Sequence, residues 1–448
     1  MRDSILAGPI MVILTGCLSV LSLYHVSAQP DSIVARPDDS ATDQAAVREI
    51  LEKERISLED LLKVAELRNP EIQAAMYGME AAAGRVRQAG FYPNPRLEFE
   101  AEDIPAGKLS FRRSVNKIAF VQPIIIGRRR LASVSASAAE YDAQSLAVRQ
   151  KLREVRSGVR DVYVELSYLK QAGVLHAELL DLAQQTCQVA ATRFKARAAL
   201  ESEVIRTRID VQELELGQRK LNRLLASSAE RLRSLLGGVS IPVEHIEGRL
   251  IEVTPELDLE RLRTVVDESH PALLAARKGT EIAQRYIELA RAERTPDIDV
   301  RFAYGHNTAT QENSMEAGIG IPLTLFDRNQ GRILETTNLA SRAARNADSL
   351  ANSLLATLAE AHASYLTARD EFETLRNEMV PAAETVFSQA KEVYKAGKTS
   401  LLDLLDSQRT LIKTRLLKLE SLKDLNLDRA RLWAVVGPEI EKQTNVKE

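Results

Sequence analysis

Aromatic residues make up only 4% of this chain of 448 residues, and its cysteines, histidines, methionines and tryptophans number two, six, six and one. Few aromatics beside 27% charged and 45% hydrophobic residues is the composition of long packed helices rather than of a globular enzyme. Once a leader containing Cys17 is removed, only Cys187 remains, which excludes an intramolecular disulfide and a cysteine metal cluster. The histidines beyond that leader, His176, His245, His270, His306 and His362, are scattered without ligand spacing, and the methionines form no thioether cluster. No metal site and no cofactor are expected. Catalytic patterns are missing too: there is no Ser/His/Asp set and no His-Glu-x-x-His, and Gly318 and Gly320 in GIGIP lack the strand-to-helix setting of a nucleotide loop. The chain reads as something other than an enzyme. A net charge of -3 and a pI near 6.2 offer nothing to nucleic acid, since basic residues are dispersed apart from Arg128-Arg129-Arg130.

Charge is also missing from residues Ile5 to Tyr24, an apolar run preceded by Arg2 and followed by Val26-Ser27-Ala28. That is the pattern of a signal peptide (1–28) cleaved after Ala28 to leave Gln29 at the mature N-terminus. Two other readings compete. The run is long enough to span a membrane as an anchor, and Leu14-Thr15-Gly16-Cys17 has the form of a lipobox that would lipidate Cys17. Leu18 to Tyr24 stays apolar where a lipoprotein turns polar, which favours ordinary cleavage. By any of these routes the protein leaves the cytoplasm.

Self-comparison of the chain reveals a repeat. Leu58, Pro70 and Pro95 match Leu259, Pro271 and Pro296 at an offset of 201; Pro123 matches Pro322 at 199, and Phe194 and Gly237 match Tyr394 and Gly437 at 200. A register held to within two residues over half a chain means two copies of one unit, about 57–237 and 258–437. An N-terminal extension (29–56), a linker (238–257) and a tail (438–448) complete the division. Each copy reads helix, strand, hairpin loop, strand, long helical run. In the first, a helix from Ser57, its N-cap, to Tyr92 ends at Pro93 and Pro95, and strands follow near 95–102 and 115–122. No proline interrupts Leu131 to about Ala196, a rod of roughly 100 Å at 1.5 Å per residue. Within it Val148, Leu152, Val155, Val159, Val162, Leu166 and Leu169 step alternately by four and three, a heptad seam that packs lengthwise on a neighbouring helix. ARAALES and AGKTSLL mark turns, after which helices return to Gly237 and Gly437.

The strands alternate. Leu97, Phe99 and Ala101 interleave with Glu98, Glu100 and Glu102, and Ile298, Val300 and Phe302 with Asp299, Arg301 and Ala303. Met315 to Ile321 alternates as well. Apolar strand faces of this kind pack either on the chain's own helices or, in an exported protein, against lipid. In lipid a sheet must close, because an open edge strands its backbone groups. Four strands cannot close; two chains would give eight and a filled barrel, three would give twelve and a water-filled lumen.

NPEIQAA, FYPNPRLEFE, the QP of VQPIIIG, GIGIPLTLFDRNQG and YKAGKTSLLDLLDSQ together resemble the TolC-like outer-membrane efflux family, and IPLTLFDRNQG resembles its heavy-metal branch, the CzcC- and CusC-like channels, in particular. The resemblance runs from Ser57 to Gly437. It implies a mainly α fold with a membrane β-barrel: a homotrimer with a 12-stranded barrel in the outer membrane and an α-helical tunnel in the periplasm. It implies passive conduction of substrate, here heavy-metal cations, handed on by a periplasmic adaptor and an inner-membrane pump of the resistance-nodulation-division type. Glu98, Glu100, Asp299 and Arg301 would line the lumen, while Leu97, Phe99, Ile298, Val300 and Phe302 would face outer-membrane lipid. The turns with Arg197 and with Gly397, Lys398 and Thr399 would be the tip that meets the adaptor.

Asp403 and Asp406 share one helix face just past the AGKTS turn, where the resemblance implies a cation-selecting ring at the periplasmic entrance. Glu203 matches Asp403 in the first copy, but Arg206 matches Asp406, so acid at that ring comes mainly from the second copy. The competing reading is that the two acids suit a helix start, with Asp403 completing a capping box on Ser400. Some relatives carry arginine at the place of Thr399, so a salt-bridged closed gate is not expected here. Two other functions remain open: a periplasmic coiled-coil scaffold whose strands pack on its own helices, and a TolC-like channel for drugs or secreted proteins.

Overall fold

A computed structural model describes residues 41–104, 114–197, 200–253, 255–395 and 398–437. The signal region, including Cys17, Ala28 and Gln29, and the turn residue Gly397 lie outside the described residues. A short helix, α1 (Ala41–Leu51), occupies the extension that suggested no role from sequence, and it buries Val47 and Ile50 in the core beneath it. Ser57 then caps α2 (Leu58–Arg68): its hydroxyl oxygen accepts the Asp60 N–H at 3.2 Å and the Asp60 carboxylate accepts the Ser57 N–H at 3.0 Å.

The helix expected to run unbroken from Ser57 to Tyr92 is in fact two. Pro70 opens α3 (Pro70–Gly90) without an N–H to give and holds the preceding Asn69 extended, so the chain bends there. The Asn69 side chain caps the new start, accepting from Glu71 and Ile72 N–H, and donates to the Leu235 carbonyl at 2.8 Å. In the second half Asp258 caps α6 (Leu259–Ser269), and His270 takes the place of Asn69 ahead of Pro271 and α7 (Pro271–Ala292).

Strands β1 (Arg96–Glu102), β2 (Val115–Ile124), β3 (Ile298–Asn307) and β4 (Glu312–Gly320) form one antiparallel sheet in chain order, so the sheet joins the two halves through β2 and β3. Below the first hairpin, α4 (Arg129–Lys195) is a single helix of 67 residues. The expected seam lies inward: Val155, Val159, Val162, Leu166 and Leu169 are buried. It folds back as α5 (Glu201–Leu235). The second rod is α8 (Gln330–Thr374) and α9 (Val380–Lys395), returning as α10 (Leu401–Val436). A π-turn over Leu375–Met379 separates α8 from α9, with the Val380 N–H reaching back to the Leu375 carbonyl. Pro381, one residue on, has no N–H for the carbonyl four residues back and its ring would crowd it; the wider turn relieves both. Both returning helices stop on glycines in the left-handed region, Gly237 (φ 66) and Gly437 (φ 102). At Gly237 a Cβ would also sit 2.1 Å from the Arg68 carbonyl oxygen.

Each half has its own core partway along the long rods, where the returning helices α5 and α10 end, one built around Leu61, Val159, Leu166 and Leu236, the other around Leu358, Tyr365, Phe372 and Leu432. Farther along, Leu179, Ala183 and Leu214 pack with Ile412 and Leu416, interlocking the two hairpins. The linker is fixed to the bundle: Lys170 donates to the Val243 and Ile246 carbonyls, Asn426 exchanges two hydrogen bonds with the Ile251 backbone, and Tyr365 donates to the Pro255 carbonyl. The Val243, Ile246, Ile251 and Pro255 carbonyls of this segment are thus taken up by side chains of the helices it crosses.

His270 shows what this capping demands. Its Nδ1 accepts the Ala272 N–H at 3.2 Å, which only the deprotonated nitrogen can do, and burial with the neighbouring Arg153 guanidinium lowers the imidazole to about 4. The unfolded chain therefore binds the proton more readily. Stability contributed by the neutral ring is complete above the ordinary histidine range near 6.5 and is lost as pH falls from there towards 4. His270→Asn, which installs the cap used at Asn69, should flatten this loss, roughly 2–3 kcal/mol between pH 7 and 4 by linkage. Unfolding followed by fluorescence of the lone Trp433 at several pH values measures it; parallel pH curves for wild type and variant would contradict the assignment.

Candidate functional site

Two regions hold the residues singled out by sequence: the sheet and the far end of the rods. In the sheet, register decides which side chains meet. Leu97 pairs with Phe120, Phe99 with Ile118, Phe120 with Phe302, and Phe302 with Ala317, so these share one face. Glu98, Glu100, Lys117, Arg301 and Glu316 share the other. The apolar face is bare: Leu97, Phe99, Ile118, Phe302, Met315 and Ile319 are all exposed, and Ile298 and Val300 are half-buried. The chain's own helices do not cover it, which removes the main support for a scaffold whose strands pack on its own helices.

The opposite face is an ion-pair network that crosses all four strands. Arg301 on β3 reaches Glu98 at 3.2 Å and Glu100 at 2.5 Å on β1, and Lys117 on β2 lies 2.8 Å from both Glu102 on β1 and Glu316 on β4. Arg96 extends it to Asp299 at 3.6 Å. The arms lie over small side chains: Ala119, Val121 and Ala303 are buried beneath them. Of the residues expected on this face, Glu98, Glu100 and Arg301 are in direct contact, and Asp299 joins through Arg96. Sequence reasoning missed Lys117. Its signal was present in VNKIAFV, where Lys117 alternates with Ile118, but its neighbours Val115, Ala119 and Val121 on the same face are apolar and hide the pattern.

Both outer edges of the sheet, on β1 and β4, lack a strand partner among the described residues. Beyond β4 the segment through Leu323, Leu325 and Phe326 is exposed, and so are Phe91 and Tyr92 ahead of β1.

At the far end, the Ser400 hydroxyl oxygen accepts the Asp403 N–H at 3.2 Å, and the Asp403 carboxylate accepts from Thr399 Oγ1 at 2.6 Å and Ser400 Oγ at 2.8 Å. The capping box is thus present. These donors, the Thr399 hydroxyl first, hold the Asp403 carboxyl below its ordinary range, so it stays ionised well into acid. Asp406 is exposed on the same helix one turn on, and Glu203 sits half-buried in the first turn of α5. Arg409 and Asp210, 2.6 Å apart, tie α10 to α5 just above them. Lys398 is exposed, and Arg197, the repeat mate of Gly397, takes a left-handed φ of 59 that few residues with a Cβ adopt. Among the described residues no group of three or more His, Cys, Asp or Glu stands ready to hold a metal ion, and no helix is long and apolar enough to cross a membrane.

The capping contacts separate the two aspartates. Asp403→Ala should speed amide hydrogen exchange over residues 401–405 several-fold, whereas Asp406→Ala should leave it unchanged. Equal effects would mean that the box does not hold this helix start.

Comparison with known proteins adds three findings. The profile of the family described as outer membrane efflux protein matches twice, over residues 61–238 and 264–438. The cobalt-zinc-cadmium resistance protein CzcC of Cupriavidus metallidurans is 27% identical over 363 residues, which span 81% of this chain and 85% of that protein. Among solved structures, a membrane protein from Pseudomonas aeruginosa matches with a TM-score of 0.72 at 19% identity, over 91% of this chain and 96% of that one. A crystal structure of CusC matches with a TM-score of 0.72 at 17% identity, over 92% of this chain and 99% of that one.

Proposed function

This chain belongs to the outer membrane efflux protein family, and from that premise we propose that it is the passive exit duct for heavy-metal cations in a tripartite pump. It is an outer-membrane efflux channel with the TolC-like fold, its helices standing in the periplasm. Three copies supply twelve strands, enough for an open lumen. The observation that carries the reading is the sheet itself, with a bare apolar face, an ionic face and two unpaired edges. Lipid suits the first, water the second and neighbouring copies the third.

In this reading Leu97, Phe99, Ile298, Val300 and Phe302 contact lipid, and Glu98, Glu100, Asp299 and Arg301 line the lumen with Lys117. Arg197, Gly397, Lys398 and Thr399 form the tip that meets a periplasmic adaptor, which an inner-membrane pump of the resistance-nodulation-division type feeds. Asp403, Asp406 and Glu203 ring the entrance. The likeness to a cobalt-zinc-cadmium resistance protein supports metal cations as cargo over drugs or secreted proteins. The duct needs no ligand set to carry them, since a passive pore that bound its cargo tightly would retain it.

Three measurements test this. Deleting the gene should make cells sensitive to cobalt, zinc or cadmium, and restoring the chain should reverse it; unchanged metal tolerance with new drug sensitivity would reassign the cargo. Arginine at Phe99, Ile298 or Val300 should cost roughly 2–4 kcal/mol near the bilayer midplane and deplete the outer-membrane trimer, whereas arginine at Glu98 or Asp299 should not. Equal depletion by both sets would contradict the assignment of faces. Asn at both Asp403 and Asp406 should reduce cation over anion selectivity in planar bilayers, and salt should screen the wild-type preference, the Debye length falling to about 3 Å at 1 M. Wild-type selectivity in the double variant at low salt would leave both residues as helix-start acids only.

A further inference from the structure

The four strands meet the helices along one rim, and the chain carries more positive charge there than it neutralises. Arg128, Arg129 and Arg130 follow β2, Arg294 precedes β3, and Arg328 and Arg332 follow β4. Arg129 is matched by Asp297 at 2.9 Å and Arg332 by Glu293 at 3.7 Å, while Arg130 stacks 4.5 Å from the Tyr92 ring centroid and donates to the Gly90 carbonyl. The remaining acid of the rim, Asp327, accepts the Asn329 N–H of its own turn. Arg128, Arg294 and Arg328 are exposed and make no ion pair with any described residue. The first turns of α4 and α8, which start at this rim, hold no acid that could serve them.

These charges border apolar surface. Arg294 and Arg328 line an open groove of about 660 Å³ together with Leu325, Phe326, Ile333 and Leu334, and Phe326 is 91% exposed. A Cβ at Gly127 would lie 3.5 Å from Thr295, so Arg128 enters the rim beside Arg294. Guanidinium groups edging an apolar groove fit a molecule with a phosphate at one end and hydrocarbon at the other.

Resting on the membrane reading of the sheet above, we propose that this rim binds anionic phospholipid of the periplasmic leaflet. The headgroup phosphate sits among Arg128, Arg294 and Arg328, and the acyl chains run over Leu325 and Phe326 onto the apolar face that continues through Leu323, Ile321 and Ile319, all exposed. Charge complementarity selects this occupant. A zwitterionic headgroup brings its own ammonium and leaves the excess of positive charge in place, whereas an anionic one removes it. A free anion would leave the groove uncovered. A neighbouring copy would bring the segment ahead of β1, Phe91 to Pro95, which holds no acid to match the arginines.

Spin-labelled lipids test this. Trimers reconstituted in phosphatidylcholine vesicles with a trace of spin-labelled phosphatidylglycerol or phosphatidylcholine should motionally restrict part of both labels. The anionic label should be favoured roughly fivefold or more at low salt, a factor that one arginine near an anionic headgroup can supply. Arg128→Gln, Arg294→Gln and Arg328→Gln together should bring the ratio close to one, and each alone should lower it in part. Arg342→Gln, about 18 Å along α8 from its start, should leave the ratio unchanged. Equal restriction of both labels by wild type, or an undiminished ratio in the triple variant, would overturn the lipid site and leave the channel reading standing. A triple variant that loses the trimer while the single variants keep the full ratio would also overturn it, making the arginines a contact between copies. Reconstituted trimers that restrict neither label would overturn the membrane reading as well.

Discussion

A sheet with two unlike faces and two unpaired edges cannot be satisfied by one chain, and the rest of the structure follows from that constraint. Each unpaired N–H and C=O along β1 and β4 needs a partner, and in hydrocarbon only another strand can supply one. The apolar face is left bare by the chain's own helices, which pack on one another, and the proposed function gives it to lipid. The ionic face is net acidic: Arg301 and Lys117 each hold two carboxylates, so two cations meet four anions across the strands.

The rods extend this constraint away from the membrane. Two helical hairpins of nearly the same length interlock around Leu179, Ala183 and Leu214, and the two cores midway along the rods hold α5 and α10 against α4 and α8. The linker bound across α4 and α10 turns what would be a hinge between repeats into a strap.

Much of this was legible in residues. The seam from Val155 to Leu169 could be read because heptad spacing survives only where a helix packs along its length, and the strands because charge and apolar side chains alternate in RLEFEAE without interruption. The bend at Asn69 was hidden because Pro70 suits the first turn of a helix as well as it breaks one, and only the Asn69 cap distinguishes the cases. Lys117 went unseen because its face of β2 is otherwise apolar, which makes sense only once the long arms from β1 and β3 are seen to lie over it. The role of Asp403 divides the same way. Its place in a capping box followed from SLLD, whereas a duty at the entrance belongs to an assembly that no single chain displays.

The central claim is that alternate residues of one strand see lipid and water. A thiol-reactive fluorophore placed singly at each position from Arg96 to Glu102, in trimers reconstituted with brominated lipid or with aqueous iodide, reads it most directly. The account predicts strong quenching by bromine at Leu97, Phe99 and Ala101, strong quenching by iodide at Glu98, Glu100 and Glu102, and reversal at every step. Iodide quenching along the whole strand, with none from bromine, would mean that the sheet never enters the bilayer.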